Sequence, residues 1–171
     1  MSRADYFKVL RMKTGELFAL SCDLGAYLSG AGNAKRAALR QYGLAIGTAY
    51  QVYDDCLDLF GSEAAAGKSL GTDLAKGKLT LPMLLLLECV GPGERARIRS
   101  LVQHWKPEAF PQLLTLLHHH QTLQGSRQAL QQYLQSARRT LMILPESESR
   151  TALSGLADYL HQQTDALVAR D

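Results

Sequence analysis

The apolar residues of this chain recur at spacings of three and four, the period of a helix. Between residues 4 and 30, Tyr6, Phe7, Val9, Leu10, Leu17, Phe18, Leu20, Leu24, Tyr27 and Leu28 mark the apolar faces of a first helix. Ser29-Gly30-Ala31-Gly32-Asn33 stops it and caps a second helix over about 34–60, which ends at Gly61. A loop punctuated by Gly67, Gly71 and Gly77 follows, and Pro82 opens a short helix to residue 89. Gly91-Pro92-Gly93 breaks the chain again, ahead of helices near 94–105 and 107–119. Gly125 and Ser126 then separate these from a helix through about 143, and Pro145 precedes a last helix over 146–168. No segment alternates with the period of a strand. The pattern predicts an all-α helical bundle.

One polar group interrupts the apolar surroundings of the second helix. In Gln51-Val52-Tyr53-Asp54-Asp55-Cys56-Leu57-Asp58, Asp54 and Asp58 lie one turn apart, and Asp55 sits about 100° round from Asp54. Acids at i and i+4 usually form a solvated face. Here Leu44, Ile46, Ala49, Val52, Leu57, Leu59 and Phe60 surround them, and carboxylates in such a setting need a positive partner. Hard oxygen ligands completed by water and phosphate suit Mg²⁺.

Composition narrows the options. The 171 residues suffice for one domain with a sizeable core, and the net charge is only +3. The basic residues are scattered, and Arg95, Arg97 and Arg99 read as a solvated helix face, so nucleic acid is not an expected partner. Cys22, Cys56 and Cys89 have neither CxxC nor zinc spacing, and read as reduced, mostly buried thiols of a cytoplasmic protein. The start, Met1 to Asp5, lacks an apolar signal region, and Leu84 to Leu87 is too short to cross a membrane. His118, His119 and His120 do not share a helix face, which argues against a metal site.

Further polar positions complete a candidate set. Lys13-Thr14 stands within the first helix, Gln51 lies three residues before Asp54, and Lys68 follows the acids beside Gly67 and Gly71. Glycine-rich backbone near a lysine lets phosphate oxygens approach, although the P-loop spacing is absent. Carboxylates for Mg²⁺ and lysines for anionic oxygens together make a diphosphate site by chemistry.

From Tyr6 to Pro82 the chain resembles the trans-isoprenyl diphosphate synthases, the polyprenyl synthetase family. The resemblance rests on Lys13-Thr14-Gly15-Glu16-Leu17-Phe18, Tyr42-Gly43, Gly47, Gln51 and Asp54-Asp55-Cys56-Leu57-Asp58. It continues through Gly67-Lys68-Ser69-Leu70-Gly71-Thr72-Asp73 and Lys76-Gly77-Lys78-Leu79-Thr80-Leu81-Pro82. It implies that residues 1–171 are the C-terminal portion of a polyprenyl synthetase domain, with the isoprenoid synthase fold. The implied reaction is Mg²⁺-assisted ionisation of an allylic diphosphate and its condensation with isopentenyl diphosphate. Asp54, Asp55 and Asp58 would be the second aspartate-rich motif, with Asp54 in direct contact with metal. Lys13 and Lys68 would hold the allylic diphosphate, with Thr14 and Gln51 supporting it. Tyr50, where the family has Phe, would line the prenyl pocket, and Asp73 and Lys78 match positions near the site.

The family's first aspartate-rich motif, its basic residues for isopentenyl diphosphate and its length-setting residues lie upstream of the matching stretch. The resemblance therefore implies a chain that does not turn over alone, is poorly stable alone, and forms a homodimer or associates with the missing N-terminal half. The alternative is a non-catalytic partner subunit or diphosphate-binding module of a full-length synthase. A terpene cyclase relative is disfavoured by the stretch from Gly67 to Pro82.

Overall fold

The structure, a computed structural model, describes residues 1–67 and 69–168. The first helical segment is α1 (Arg3–Leu10), a π-helical turn (Arg11–Gly15) and α2 (Glu16–Leu28). The central helix α3 spans Asn33–Phe60. Two single-turn helices, α4 (Glu63–Ala66) and α5 (Thr72–Ala75), lie in the following loop, ahead of α6 (Leu81–Cys89) and α7 (Pro92–Gln103). The rest is α8 (Phe110–His119), α9 (Thr122–Thr140) and α10 (Glu148–Val168). The described residues include no strand, as the apolar spacing predicts.

Helix α3 is the core because it is apolar on several sides. Tyr42, Ile46, Ala49, Val52, Cys56 and Leu59 repeat at helical spacing and are all buried. α2 packs on one side of α3 and α9 on another, with α6 and α10 closing the bundle. The approach of α2 depends on missing side chains. A Cβ on Gly43 would lie 2.4 Å from the Phe18 carbonyl oxygen, and one on Gly47 would lie 3.0 Å from the Phe18 ring.

Several boundaries differ from the sequence expectation. Gly125 and Ser126 do not separate helices; they lie inside α9. Their smallness serves packing: a Cβ on Gly125 would come within 2.9 Å of Leu85, and buried Ser126 donates its hydroxyl to the Thr122 carbonyl at 2.8 Å. The break falls at Gln121 instead, a left-handed residue with φ 51°. Within the expected capping segment, Gly32 is the residue preceding α3, and it gives no side-chain cap. Cys56 is buried, but Cys22 is only partly so and Cys89 is exposed, against the expectation of mostly buried thiols.

The first helical segment is apolar on two faces and buries one. Tyr6, Leu10, Ala19 and Ala26 are buried, while Val9, Met12, Leu17, Leu20, Leu24 and Leu28 form an exposed stripe. Among the described residues, no helix is long and apolar enough to cross a membrane.

Candidate functional site

The three aspartates stand on the last two turns of α3, and each has a different environment. Asp58 is fully buried. Its Oδ1 accepts from the Thr72 hydroxyl at 2.7 Å and the Thr72 amide at 3.2 Å, and its Oδ2 accepts from the Asp73 amide at 3.1 Å. A carboxylate at the start of α5 satisfies amides that a helix N-terminus leaves unpaired. Asp58 also receives the Gly71 amide on its backbone carbonyl at 2.8 Å. Gly71 has φ 70°, and the Phe110 ring lies 3.2 Å from where its Cβ would be, so this turn requires glycine.

The turn delivers Asp73 and Lys78. Asp73 is buried, and its Oδ1 receives the Lys78 ammonium at 2.7 Å. The Asp73 carbonyl accepts from the Lys76 and Lys78 amides, a fold-back helped by Gly77 at φ 68°. The hydrogen bond from Lys78 to Asp73 holds the Lys78 ammonium above its ordinary pKa, opposed by partial desolvation and reinforced by the charges of Asp73, Asp55 and Asp58.

Asp55 is buried and its Oδ2 accepts from the Tyr6 hydroxyl of α1 at 2.6 Å. Its carboxyl is pushed up to about 7, first by burial and then by the neighbouring Asp73 and Asp54 charges; the Tyr6 hydrogen bond and Lys13 act the other way. This is a carboxylate group short of positive charge.

Tyr6, Lys13, Asp55, Asp73 and Lys78 line one cleft of about 440 Å³, and Val9, Leu10 and Leu79 supply its apolar wall. Of the sequence-predicted residues, the cleft thus gathers Lys13, Asp55, Asp73 and Lys78. Thr14 follows Lys13 in the π-helical turn and is half-buried, Gln51 is buried on α3 and Asp54 is half-buried beside Asp55. Tyr50 is exposed, with its ring stacked on Phe18 at 6.3 Å. Lys68 lies outside the described residues. Tyr6 is expected from the sequence on an apolar face and at the start of the family-like stretch, with no part in the site. It stands 49 residues from Asp55, with no local signal to join them.

A larger hollow of about 640 Å³ adjoins the cleft, lined by Leu84, Leu87, Glu88, Arg95 and Arg99. Its carboxylate, Glu88, is already paired with Arg3 at 3.0 Å. Of these two hollows, the Asp55 cleft brings buried carboxylates and cations together. Arg95 is half-buried and donates to the Val90 carbonyl at 3.1 Å, so this arginine is not on the solvated face expected of it.

The residues fit a hard divalent cation that takes part of its shell from outside the protein. No three His, Cys, Asp or Glu side chains among the described residues are grouped as a metal cage. Asp55 lines the cleft and half-buried Asp54 stands next to it on α3, a donor set of the kind that holds a hard cation by one or two carboxylates plus phosphate oxygens.

This arrangement has relatives. The octaprenyl diphosphate synthase of Haemophilus influenzae is 37% identical over 157 residues, 91% of this chain and 48% of that protein. The heptaprenyl diphosphate synthase component 2 of Bacillus subtilis is 32% identical over 155 residues, 91% of this chain and 44% of that protein. The crystal structure of a polyprenyl synthase from Caulobacter crescentus, complexed with calcium and isoprenyl diphosphate, superposes with a TM-score of 0.89. Its sequence identity is 34%, over 94% of this chain and 50% of that one. The all-α fold is therefore that of the isoprenoid synthases, and the chain spans about half the length of the curated relatives it matches. The polyprenyl synthetase family model matches residues 1–117, and on these grounds the chain belongs to the polyprenyl synthetase family.

Proposed function

We propose that this chain carries the allylic-diphosphate half of a prenyltransferase site, which condenses an allylic diphosphate with isopentenyl diphosphate. The observation that carries the reading is the single cleft with buried Asp55 and Asp73, cationic Lys13 and Lys78, and an apolar wall. Such a cleft suits a ligand with a diphosphate at one end and hydrocarbon at the other. Lys13 and Lys78 bind the diphosphate oxygens, and Lys68 adds to them. Asp54 and Asp55 are the carboxylates that would hold Mg²⁺. Asp58 keeps the 71–78 turn in place, and Thr14 and Gln51 support the site from the π-helical turn and α3. Tyr50, exposed and outside this cleft, would line the prenyl pocket of the completed site. Bound Mg²⁺ would neutralise the charge that develops on the departing diphosphate.

Elongation also needs groups for isopentenyl diphosphate, and the sequence contains one motif of DDxxD form. We assign the exposed stripe of Val9, Met12, Leu17, Leu20, Leu24 and Leu28 to a covering helical body that bears those groups. A chain acting alone is therefore inactive. The second reading, a non-catalytic partner subunit, draws on the same stripe. It leaves the buried carboxylates and cleft lysines without a role, so the catalytic reading is preferred.

The test replaces the matching part of the Haemophilus influenzae octaprenyl diphosphate synthase with this chain. The chimera should elongate farnesyl diphosphate with radiolabelled isopentenyl diphosphate, and Asp54→Asn should abolish it. A chimera that folds by circular dichroism and binds isopentenyl diphosphate, yet never elongates, overturns the catalytic reading in favour of the subunit.

A further inference from the structure

Asp55 has a partner that no carboxylate motif contains. The Tyr6 hydroxyl reaches it from α1 at 2.6 Å, and both residues are buried at the edge of the cleft. The Tyr6 ring is itself fixed, edge-on to Phe7 at 5.1 Å, and Phe7 leans on Tyr133 of α9 at 5.4 Å. The phenol is therefore a rigid donor, not a mobile surface group. Its bond occupies Oδ2, and Oδ1 takes no hydrogen bond among the described residues. A carboxylate held by one oxygen has lost its freedom to rotate and can offer one oxygen outward. Without the phenol, Asp55 would be a buried carboxylate with no donor, free to turn.

We propose that Tyr6 is a positioning residue: it pins Asp55 through Oδ2 so that Oδ1 faces the cleft as a single-oxygen ligand for a divalent cation. This rests on the functional reading above. Outer partners of ligating carboxylates commonly change metal affinity by about 10–100-fold when removed. Tyr6 acts through Asp55 and needs no contact with substrate. It also links α1, which carries the chain into Lys13, to α3, so the lysine and the carboxylate are set by one contact.

The experiment measures Mn²⁺ binding to the full chain in the presence of inorganic diphosphate, by electron paramagnetic resonance. Wild type, Tyr6→Phe, Asp55→Asn and Tyr42→Phe are compared, with thermal unfolding in EDTA alongside. Tyr42→Phe is the control for losing a buried hydroxyl, since the Tyr42 phenol donates to the Leu153 carbonyl at 2.7 Å, away from the cleft. Tyr6→Phe should weaken Mn²⁺ binding by about tenfold or more, while Tyr42→Phe leaves it unchanged. A Tyr6→Phe chain that melts lower but binds Mn²⁺ as wild type does overturns the proposal and makes Tyr6 a packing residue only. If Asp55→Asn and wild type are alike in Mn²⁺ binding, the metal reading of Asp55 falls, and the positioning role falls with it.

Discussion

Asp58 and Thr72 are joined twice, through the threonine hydroxyl at 2.7 Å and its amide at 3.2 Å, both to one carboxylate oxygen. The third aspartate of the motif thus builds the loop that brings Asp73 and Lys78 to the cleft. Asp58→Ala would leave the Thr72 and Asp73 donors without an acceptor in a buried place, at a cost of about 3 kcal/mol. Asp58→Asn keeps one acceptor oxygen and should cost about 1 kcal/mol. Urea unfolding of the two variants checks this order.

Glycines in this fold divide by what surrounds them. Gly43→Ala drives a methyl into the Phe18 backbone, and neither helix can give without moving, so it should destabilise by about 2 kcal/mol. Gly155 of α10 has nothing within 4 Å of its would-be Cβ. Gly155→Ala should therefore gain about 0.5–1 kcal/mol from helix propensity alone. Opposite shifts in the unfolding midpoint are the expected result.

The Asp55 carboxyl, raised to about 7 by burial and by Asp73 and Asp54, makes stability depend on pH. A carboxyl whose folded pKa exceeds its unfolded one contributes stability below the unfolded value and loses it as pH rises through the folded value. In EDTA the melting temperature should fall between pH 5 and pH 8. Asp55→Asn should flatten that slope, and Mg²⁺ added to wild type at pH 8 should restore stability.

Thiol labelling separates the three cysteines. Cys89 is exposed and should react first with maleimide. Burial, with the Asp55 charge adding to it, pushes the Cys56 thiol up to about 12, so Cys56 should label only as fast as the protein opens. Mass spectrometry of timed samples reads both rates.

Much of this fold was legible from the chain because the apolar period was helical throughout and the long α3 pattern was unbroken. Gly125-Ser126 misled because small residues serve close helix packing as readily as turns, and the true break at Gln121 uses a residue with no turn signature. The apolar positions of the first helical segment mark two faces, and periodicity alone does not say which one the fold buries. At the site, the aspartate and lysine positions were readable as chemistry, but their division of labour was not. That Asp58 serves a turn and Asp55 a cleft follows from contacts with Thr72 and Tyr6, which are distant in the chain.

The central claim is that the cleft holds a metal–diphosphate pair. Calorimetric titration of farnesyl diphosphate into the full chain, with Mg²⁺ and with EDTA, tests it most directly. Binding in Mg²⁺ that weakens at least about tenfold in EDTA, and likewise in Asp54→Asn and Lys13→Ala, is the predicted result. Binding of equal strength in EDTA, or unchanged in both variants, would contradict the account.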